Sequence, residues 1–124
     1  MVCHLRDYER IVMERVCAAL TKDEPVLEVV SNSDMAALGD YAHQHVRPVF
    51  FEYVHRRREL ISTLEDLRQD QWLRRCIHPG QGPGTVLDIA INTGLHDVDH
   101  IEQIGRCLRE LRNLSARRKR SKQA

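Results

Sequence analysis

Two histidines four residues apart are the side chains whose spacing points most directly to chemistry. His96 and His100 lie in the string LHDVDHIEQI, which spans residues 95–104. Side chains four residues apart on a helix share one face and lie one turn apart, so both imidazoles can reach one cation. The spacing also fits two surface histidines with no common role, because a lone H-x-x-x-H motif has low specificity.

A metal site built on this pair needs a third ligand from another helix, and His4 is the candidate. It precedes Leu5, on the flank of a predicted apolar stripe. Three neutral imidazoles suit zinc, nickel or ferrous iron and leave coordination positions open for water or a substrate. The alternative is that His4 is a polar residue in a frayed first turn.

Three long amphipathic helices are predicted to carry these residues. Apolar residues recur at three- and four-residue steps within residues 3–20 and 46–67. The stripe of the first helix is Leu5, Tyr8, Val12, Val16 and Ala19, and that of the second is Val46, Phe50, Tyr53, Arg57, Leu60, Leu64 and Leu67. A third helix follows the turn-forming string HPGQGPG, with Thr85 as its N-cap and Asp88 placed for a capping box. We expect one apolar face of this helix to lie near the bundle interior; its residues are Leu87, Ile91, Leu95, Val98, Ile101, Ile104, Leu108 and Leu111.

A long connection, residues 21–45, joins the first two helices. It exceeds the usual loop length in helical bundles, so we expect it to cross over the bundle. It contains the only β-like patch of the sequence, residues 26–30, for which no strand partner is evident. The predicted architecture is all-α, a helical bundle.

The composition fits one small domain followed by a basic tail. Of the 124 residues, 42% are hydrophobic and 30% are charged, which argues against disorder. Residues 115–124 carry five cations and no acid, so a flexible tail is predicted after a domain of residues 1–114. That domain has 14 Lys and Arg against 18 Asp and Glu, so nucleic acid is not an expected partner. A basic arm that binds RNA, DNA or an acidic protein is the alternative interpretation of the tail.

No apolar run approaches the ~20 residues of a membrane span, and the N-terminus shows no secretion signal. The expected location is therefore the cytoplasm. The four cysteines form no C-x-x-C pair, which excludes the usual zinc-knuckle and dithiol redox motifs. In a reducing compartment we expect free thiols that serve mostly as small core residues.

Several stretches of the chain resemble the DinB-like (YfiT-like) metalloprotein superfamily. Residues 72–104 contain a tryptophan, an H-P-x-x-G turn, a helix opened by threonine and then H-[DE]-x-x-H-[LI]-x-Q-[IL], as members typically do. The string HLRDYER, residues 4–10, is similar to the H-L-x-D-x-E-R stretch on the second helix of the family. Residues 51–67 resemble its third helix, so the resemblance covers nearly the whole chain.

The resemblance implies a four-helix bundle in up-down-down-up order and a divalent metal (Zn, Ni or Fe) held by His4, His96 and His100. It also implies a stress-response transferase, or a related hydrolase or isomerase, that uses a low-molecular-weight thiol such as bacillithiol, mycothiol or glutathione. A cation held by histidines lowers the pKa of a thiol or water. The resulting nucleophile would attack an electrophilic carbon of a second small molecule.

The chain departs from the family pattern at its start. Only three residues precede His4, whereas members have a complete helix before this stretch. The first bundle helix is therefore expected to be missing or supplied by a partner, and the apolar face left open favours a homodimer. A non-catalytic truncated or dimerising helical module is the alternative to an enzyme.

Three further residues are expected around the metal or the substrate. Ligating imidazoles usually donate their other N–H to a carboxylate, and Asp7 and Asp99 lie one turn from His4 and His96. Arg57 interrupts the apolar stripe of its helix and could bind a substrate carboxylate. Solvated acids and an arginine that extends to the bundle edge are the alternative interpretations.

Overall fold

Helices account for most of the chain in this computed structural model, which describes all 124 residues. The elements in chain order are α1 (Val2–Thr21), α2 (Asn32–Leu38), a 3-10 turn (Tyr41–His43), α3 (Val46–Glu65), α4 (Gln69–Trp72), β1 (Arg75–His78), β2 (Gly82–Thr85) and α5 (Val86–Gln123). The chain forms two compact units, Met1–Ile91 and Asn92–Ala124. The division falls inside α5, so the first turns of this helix belong to the first unit.

The core of the first unit lies where α1 packs against α3. The predicted stripe of α1 is confirmed at its centre, because the spacing of Val12 and Val16 places both on one buried face. They belong to a cluster of buried residues that also draws on the crossover, α3, β1 and the start of α5: Val12, Val16, Ala19, Leu27, Leu60, Cys76, Val86 and Ile89.

The stripe predicted for α3 is wrong at its N-terminal end. Val46 and Phe50 are exposed, and the buried residue of the first turn is Val49. Val49 and Leu60 are 11 residues apart, which is close to three full turns, so they lie on the same face of α3. The helix ends at Glu65, two residues before the predicted end.

A β-hairpin precedes α5, although no strand pair is predicted there. β1 pairs antiparallel with β2, with His78 opposite Gly82. The turn is closed by the His78 side chain, whose Nδ1 accepts hydrogen bonds from the N–H groups of Gly80 and Gln81 at 3.1 and 3.2 Å. Gly82 has φ +81°, a backbone conformation that glycine adopts without strain. The glycine- and proline-rich string is therefore an ordered hairpin.

The β-like patch of the crossover has a partner in this hairpin. Val26 forms an isolated parallel bridge with Ile77. The Leu27 N–H donates to the Ile77 carbonyl, and the Ile77 N–H donates to the Pro25 carbonyl, both at 2.8 Å. These bonds attach the long crossover to β1.

α5 extends further than the sequence pattern indicates. It continues to Gln123, a length of about 57 Å, and so includes most of the segment predicted as a flexible tail. After Gly105 the chain has no glycine or proline and is rich in arginine and lysine, which favour helix. The basic residues after Ser115 are exposed on a helix in the structure.

The apolar face predicted to lie near the interior is the exposed face of α5. Val98 and Ile101 are 61% and 67% exposed, whereas Val86, Ile89 and Thr93 are buried. Periodicity identifies an apolar face, but it does not determine which side of the helix packs against the core. The two cysteines Cys17 and Cys107 are likewise exposed, and only Cys3 and Cys76 are core residues.

We expect Leu60→Ala to destabilise the protein by about 3 kcal/mol, because Leu60 is 2% exposed and its removal leaves a cavity between α1 and α3. Urea denaturation followed by circular dichroism measures the free energy of unfolding. Leu73→Ala is the matched control, since Leu73 is 59% exposed, and it should change that free energy by less than about 1 kcal/mol. Equal losses for both variants would contradict the position of the core.

Candidate functional site

The start of α5 is fixed by the capping box that the sequence predicts. The Thr85 hydroxyl accepts a hydrogen bond from the Asp88 N–H at 3.3 Å, and the Asp88 carboxylate accepts one from the Thr85 N–H at 2.8 Å. A defined first turn sets the rotation of the helix about its axis, and therefore which side of α5 carries each later residue.

His96 and His100 lie side by side, one turn apart on α5. Their Nε2 atoms are 3.0 Å apart, and the ring centroids are 4.4 Å apart at an interplanar angle of 71°. Two nitrogens at this distance either share one hydrogen or present both lone pairs to a common cation. Zinc–nitrogen bonds of about 2.0–2.1 Å at angles of about 90–109° place two ligand nitrogens about 2.8–3.4 Å apart, so the pair has the spacing of two ligands of one ion.

His4 lies on α1 in the first unit and is half-buried. The Leu5 N–H donates to the Met1 carbonyl at 3.1 Å, so the first turn of the helix is hydrogen-bonded. The imidazole stacks on the ring of Tyr8, one turn later, with centroids 6.0 Å apart and planes 29° apart. Tyr8 restricts the orientation of the His4 ring, a role that sequence reasoning did not assign to it.

The other histidines that make described contacts are engaged locally. His43 contacts Asp40 at 2.6 Å, and His55 contacts Glu59 at 3.3 Å one turn along α3. His78 closes the hairpin turn. Their local contacts agree with the absence of ligand spacing around them in the sequence.

Asp7 is held in a buried polar network of the first unit. Its carboxylate accepts hydrogen bonds from Arg6 Nε at 2.9 Å and from the Tyr41 hydroxyl at 2.8 Å, and Arg56 Nη1 lies 3.5 Å from it. Arg6 is itself buried and donates to Glu52 at 2.9 Å. The network joins α1, α3 and the crossover, so Asp7 contributes to holding these three segments together.

The network sets the protonation of its members. Burial raises the pKa of Asp7, but the hydrogen bonds from Arg6 and Tyr41 and the charges of Arg6 and Arg56 lower it more, so this pKa lies below its ordinary value. Burial and the bond to Asp7 raise the pKa of the Tyr41 hydroxyl far above its ordinary value. Asp7 is therefore ionised and Tyr41 is a donor throughout the neutral range.

Arg57 is paired with a buried carboxylate that the sequence analysis does not identify. Glu9 on α1 is 2% exposed and accepts a hydrogen bond from Arg57 Nε at 2.9 Å, with a second bond from Nη2. The guanidinium also lies 5.5 Å from the centre of the Tyr53 ring. One sequence signal for this ion pair is that Glu9 lies beside the apolar stripe of α1 and Arg57 within that of α3, since an acid and a base on two packed apolar faces indicate a buried pair.

Asp99, the remaining predicted residue, is exposed on α5. Its neighbour Asp97 is half-buried. The second unit thus brings together His96 and His100, and the first unit brings together Asp7 with Arg6 and Arg57 with Glu9.

The family model of the DinB superfamily matches residues 1–104, which is most of the chain. The chain belongs to the DinB superfamily. The matched residues include all three histidines predicted as ligands. No curated protein matches this chain.

A solved structure supports the same fold for this DinB superfamily member. It is YfiT from Bacillus subtilis, described as a probable metal-dependent hydrolase with an unusual four-helix bundle topology. The TM-score is 0.72 at 19% sequence identity, over 86% of this chain and 63% of YfiT. The predicted all-α, YfiT-like helical bundle is confirmed, and the chain spans less than two thirds of the length of the protein that it matches.

None of the helices of this DinB superfamily member combines the length and hydrophobicity that crossing a membrane requires.

The Asp7 network predicts an acid-dependent stability. Because the pKa of Asp7 is lower in the folded than in the unfolded chain, its contribution is present above about pH 4 and is lost as the pH falls through the folded-state pKa. We expect Asp7→Asn to reduce the free energy of unfolding by about 1–3 kcal/mol at pH 7, with a smaller reduction at pH 3. Urea denaturation at both pH values measures this difference.

Asp23→Asn is the control, because Asp23 is exposed after the end of α1. It should leave the free energy of unfolding close to that of the wild type at both pH values. A loss for Asp7→Asn that is the same at pH 3 and pH 7 would contradict the assignment of an ionised Asp7.

Proposed function

We propose that this DinB superfamily member binds one divalent metal ion through His4, His96 and His100 and uses it in a thiol-transfer reaction. The observation that carries the proposal is the 3.0 Å separation of the two Nε2 atoms on α5. In this proposal α5 contributes two of the ligands and α1 contributes the third, and all three are imidazoles. Nitrogen ligands of this kind suit zinc, nickel and ferrous iron.

The chemistry that such an ion supplies is a lowered pKa for a coordinated thiol or water, which provides a thiolate or hydroxide near neutral pH. The residues of the chain position the ligands. Tyr8 restricts the ring of His4, and the capping box of Thr85 and Asp88 fixes the start of the helix that carries His96 and His100. Three protein ligands leave further coordination positions for a substrate, as catalytic rather than structural sites do.

Arg57 acts in this proposal as a positioning residue. Two of its nitrogens donate to Glu9, whose carboxylate neutralises the guanidinium charge. Arg57 is therefore not assigned to binding a substrate anion. The pair instead joins α3 to α1, the helix that carries His4. Asp99 and Asp7 are the proposed carboxylates near the ligands. Asp7 also accepts the hydrogen bonds from Arg6 and Tyr41.

The proposed substrates are a low-molecular-weight thiol and an electrophilic small molecule, in the cytoplasm. In the reaction the thiolate sulfur forms a bond to an electrophilic carbon, the leaving group departs with its electron pair, and the thiol proton passes to solvent. Hydrolysis is the second candidate, favoured by the description of YfiT as a probable metal-dependent hydrolase.

Metal content tests the ligand set. Protein purified without a tag or chelator, then incubated with zinc, nickel or ferrous iron, should retain about one equivalent by inductively coupled plasma mass spectrometry. The double variant His96→Ala/His100→Ala should retain none, and His4→Ala should bind at least about tenfold more weakly. His55→Ala, which removes an exposed histidine of α3, should bind as the wild type does. A wild type that takes up no metal would overturn the proposal.

Turnover distinguishes the two chemistries. The metal-loaded protein should conjugate bacillithiol, mycothiol or glutathione to an alkylating electrophile, and the metal-free protein should not. We expect transfer to disappear with His96→Ala/His100→Ala and to persist with His55→Ala. Hydrolysis of an ester or amide that does not require a thiol would show that the activity is hydrolysis and not thiol transfer. The absence of both activities in the metal-loaded protein would overturn an enzymatic role.

A further inference from the structure

A cleft of about 270 Å³ lies in the first unit, between the C-terminal half of α1 and residues 25–30 of the crossover. Its apolar walls include Ile11 and Ala18 from α1 and Leu27 from the crossover. Most small-molecule sites have volumes of about 300–1,000 Å³ and combine apolar walls with a few polar groups. The α1–crossover cleft is slightly smaller, so it suits a ligand of fewer than about ten non-hydrogen atoms.

Arg15 places a buried hydrogen-bond donor beside this cleft. Its Nη2 donates to the Glu28 carbonyl at 3.2 Å, and this bond holds the guanidinium against the crossover. Its Nε is buried and has no hydrogen-bond partner within the protein. A buried N–H without an acceptor is unfavourable, so this donor indicates that an acceptor from outside the chain binds there.

The backbone of the crossover supplies further polar groups at the cleft. The Pro25 carbonyl and the Leu27 N–H form their hydrogen bonds with β1, so they occupy one edge of this extended segment. Because backbone groups alternate between the two edges, the N–H and carbonyl of Val26 face the other edge. On that edge the Glu28 carbonyl accepts the bond from Arg15. Val26 lines the cleft, and its N–H and carbonyl have no partner within the protein.

The charges around the cleft favour an anion. Arg10 and Glu14 neutralise each other through a bond of 2.8 Å on the exposed side of α1. Arg15 and Lys22 also line the cleft, and neither forms an ion pair. The remaining acid of the lining, Glu28, is exposed to solvent. Two cations without a paired carboxylate therefore meet two N–H groups without an acceptor.

We infer that the α1–crossover cleft binds a small carboxylic acid with a short apolar chain. The carboxylate accepts hydrogen bonds from Arg15 Nε and the Val26 N–H, and Lys22 supplies a second positive charge. The chain of the ligand contacts Ile11 and Ala18. Two N–H donors match the two oxygens of a carboxylate, whereas a phosphate has further oxygens that these donors do not satisfy.

The cleft is separate from the proposed metal ligand of α1. Arg15 lies 11 residues after His4 on this helix, which is about 16 Å along its axis. The inference therefore goes beyond the proposed function and does not depend on it.

Ligand titration tests the cleft. Sodium hexanoate, added to the ¹⁵N-labelled protein, should shift the NMR signals of the Val26 amide and of the Arg15 Nε–H. We expect a dissociation constant of about 1 mM for a ligand of this size. Hexan-1-ol is the matched ligand control, because it has the same chain length without the charge. It should bind at least about tenfold more weakly.

Two variants test the cleft by independent routes. Arg15→Gln removes the charge and the Nε donor, and it should weaken hexanoate binding at least about tenfold. Ala18→Leu keeps the charges and fills the cleft with a larger side chain, and it should weaken binding by a similar factor. Arg58→Gln is the matched control, since Arg58 is exposed on α3, and it should bind as the wild type does. Circular dichroism verifies that the variants are folded.

Several outcomes would overturn the inference. Equal binding of hexanoate and hexan-1-ol would show an apolar cleft that does not recognise an anion. Tighter binding of inorganic phosphate than of hexanoate would exclude a carboxylate site. Folded Arg15→Gln and Ala18→Leu variants that bind hexanoate as the wild type does would place the ligand elsewhere, and a wild type that binds none at about 20 mM would leave no site.

The histidine variant separates this inference from the proposed function. His96→Ala/His100→Ala should bind hexanoate as the wild type does, whether or not the wild type holds a metal ion. Loss of hexanoate binding in that variant would assign the carboxylate to the histidines and would overturn the site at the cleft.

Discussion

The first unit depends on a charge that it buries. Glu9 is almost fully removed from solvent inside the packing of α1 on α3, and an ionised carboxylate in that position is strongly unfavourable unless it is paired. Arg57 provides two hydrogen bonds to it, and Tyr53 covers one face of the guanidinium. If either helix moved by one turn, both charges would lose their partners. The ion pair therefore selects one register of α1 on α3 more sharply than the apolar side chains around it.

The crossover is held by polar contacts at both of its ends. At the end near α3, Tyr41 donates to Asp7, and Gln44 accepts a hydrogen bond from Arg6 at 2.6 Å. At the end near α1, the bonds between Pro25, Leu27 and Ile77 attach it to the hairpin. The buried side chains of Leu27 and Met35 supply apolar contacts between these attachments. A long connection whose regular elements are the short helix α2 and a 3-10 turn is thereby ordered.

The sequence predicts those parts of the molecule whose cause is local. Helical periodicity identifies α1, α3 and α5, and the capping box at Thr85 and Asp88 depends on residues three positions apart. The spacing of His96 and His100 is also local, so it requires only that α5 be a helix. The pairing of Glu9 with Arg57 joins residues 48 positions apart, and no local pattern specifies which base a buried acid will meet.

Two further features lay outside what local patterns determine. The first three residues of the strand Gly82–Thr85 are glycine and proline, which have poor strand propensity, and the strand pairs because the turn brings it against β1. The apolar residues of α5 were identified, but their burial depends on what lies beside each face of the helix. Sequence periodicity contains no information about that neighbour.

The spacing of the histidine pair also has a consequence for the stability of α5. His96 and His100 span one turn of the helix. Gly94, two residues before His96, is the residue with the lowest helix propensity in this part of the chain. If the two rings hold one cation, as we propose, its ligation joins residues one turn apart and favours the helical conformation of that turn. Metal binding would then stabilise α5 directly after Gly94, where its helix propensity is lowest.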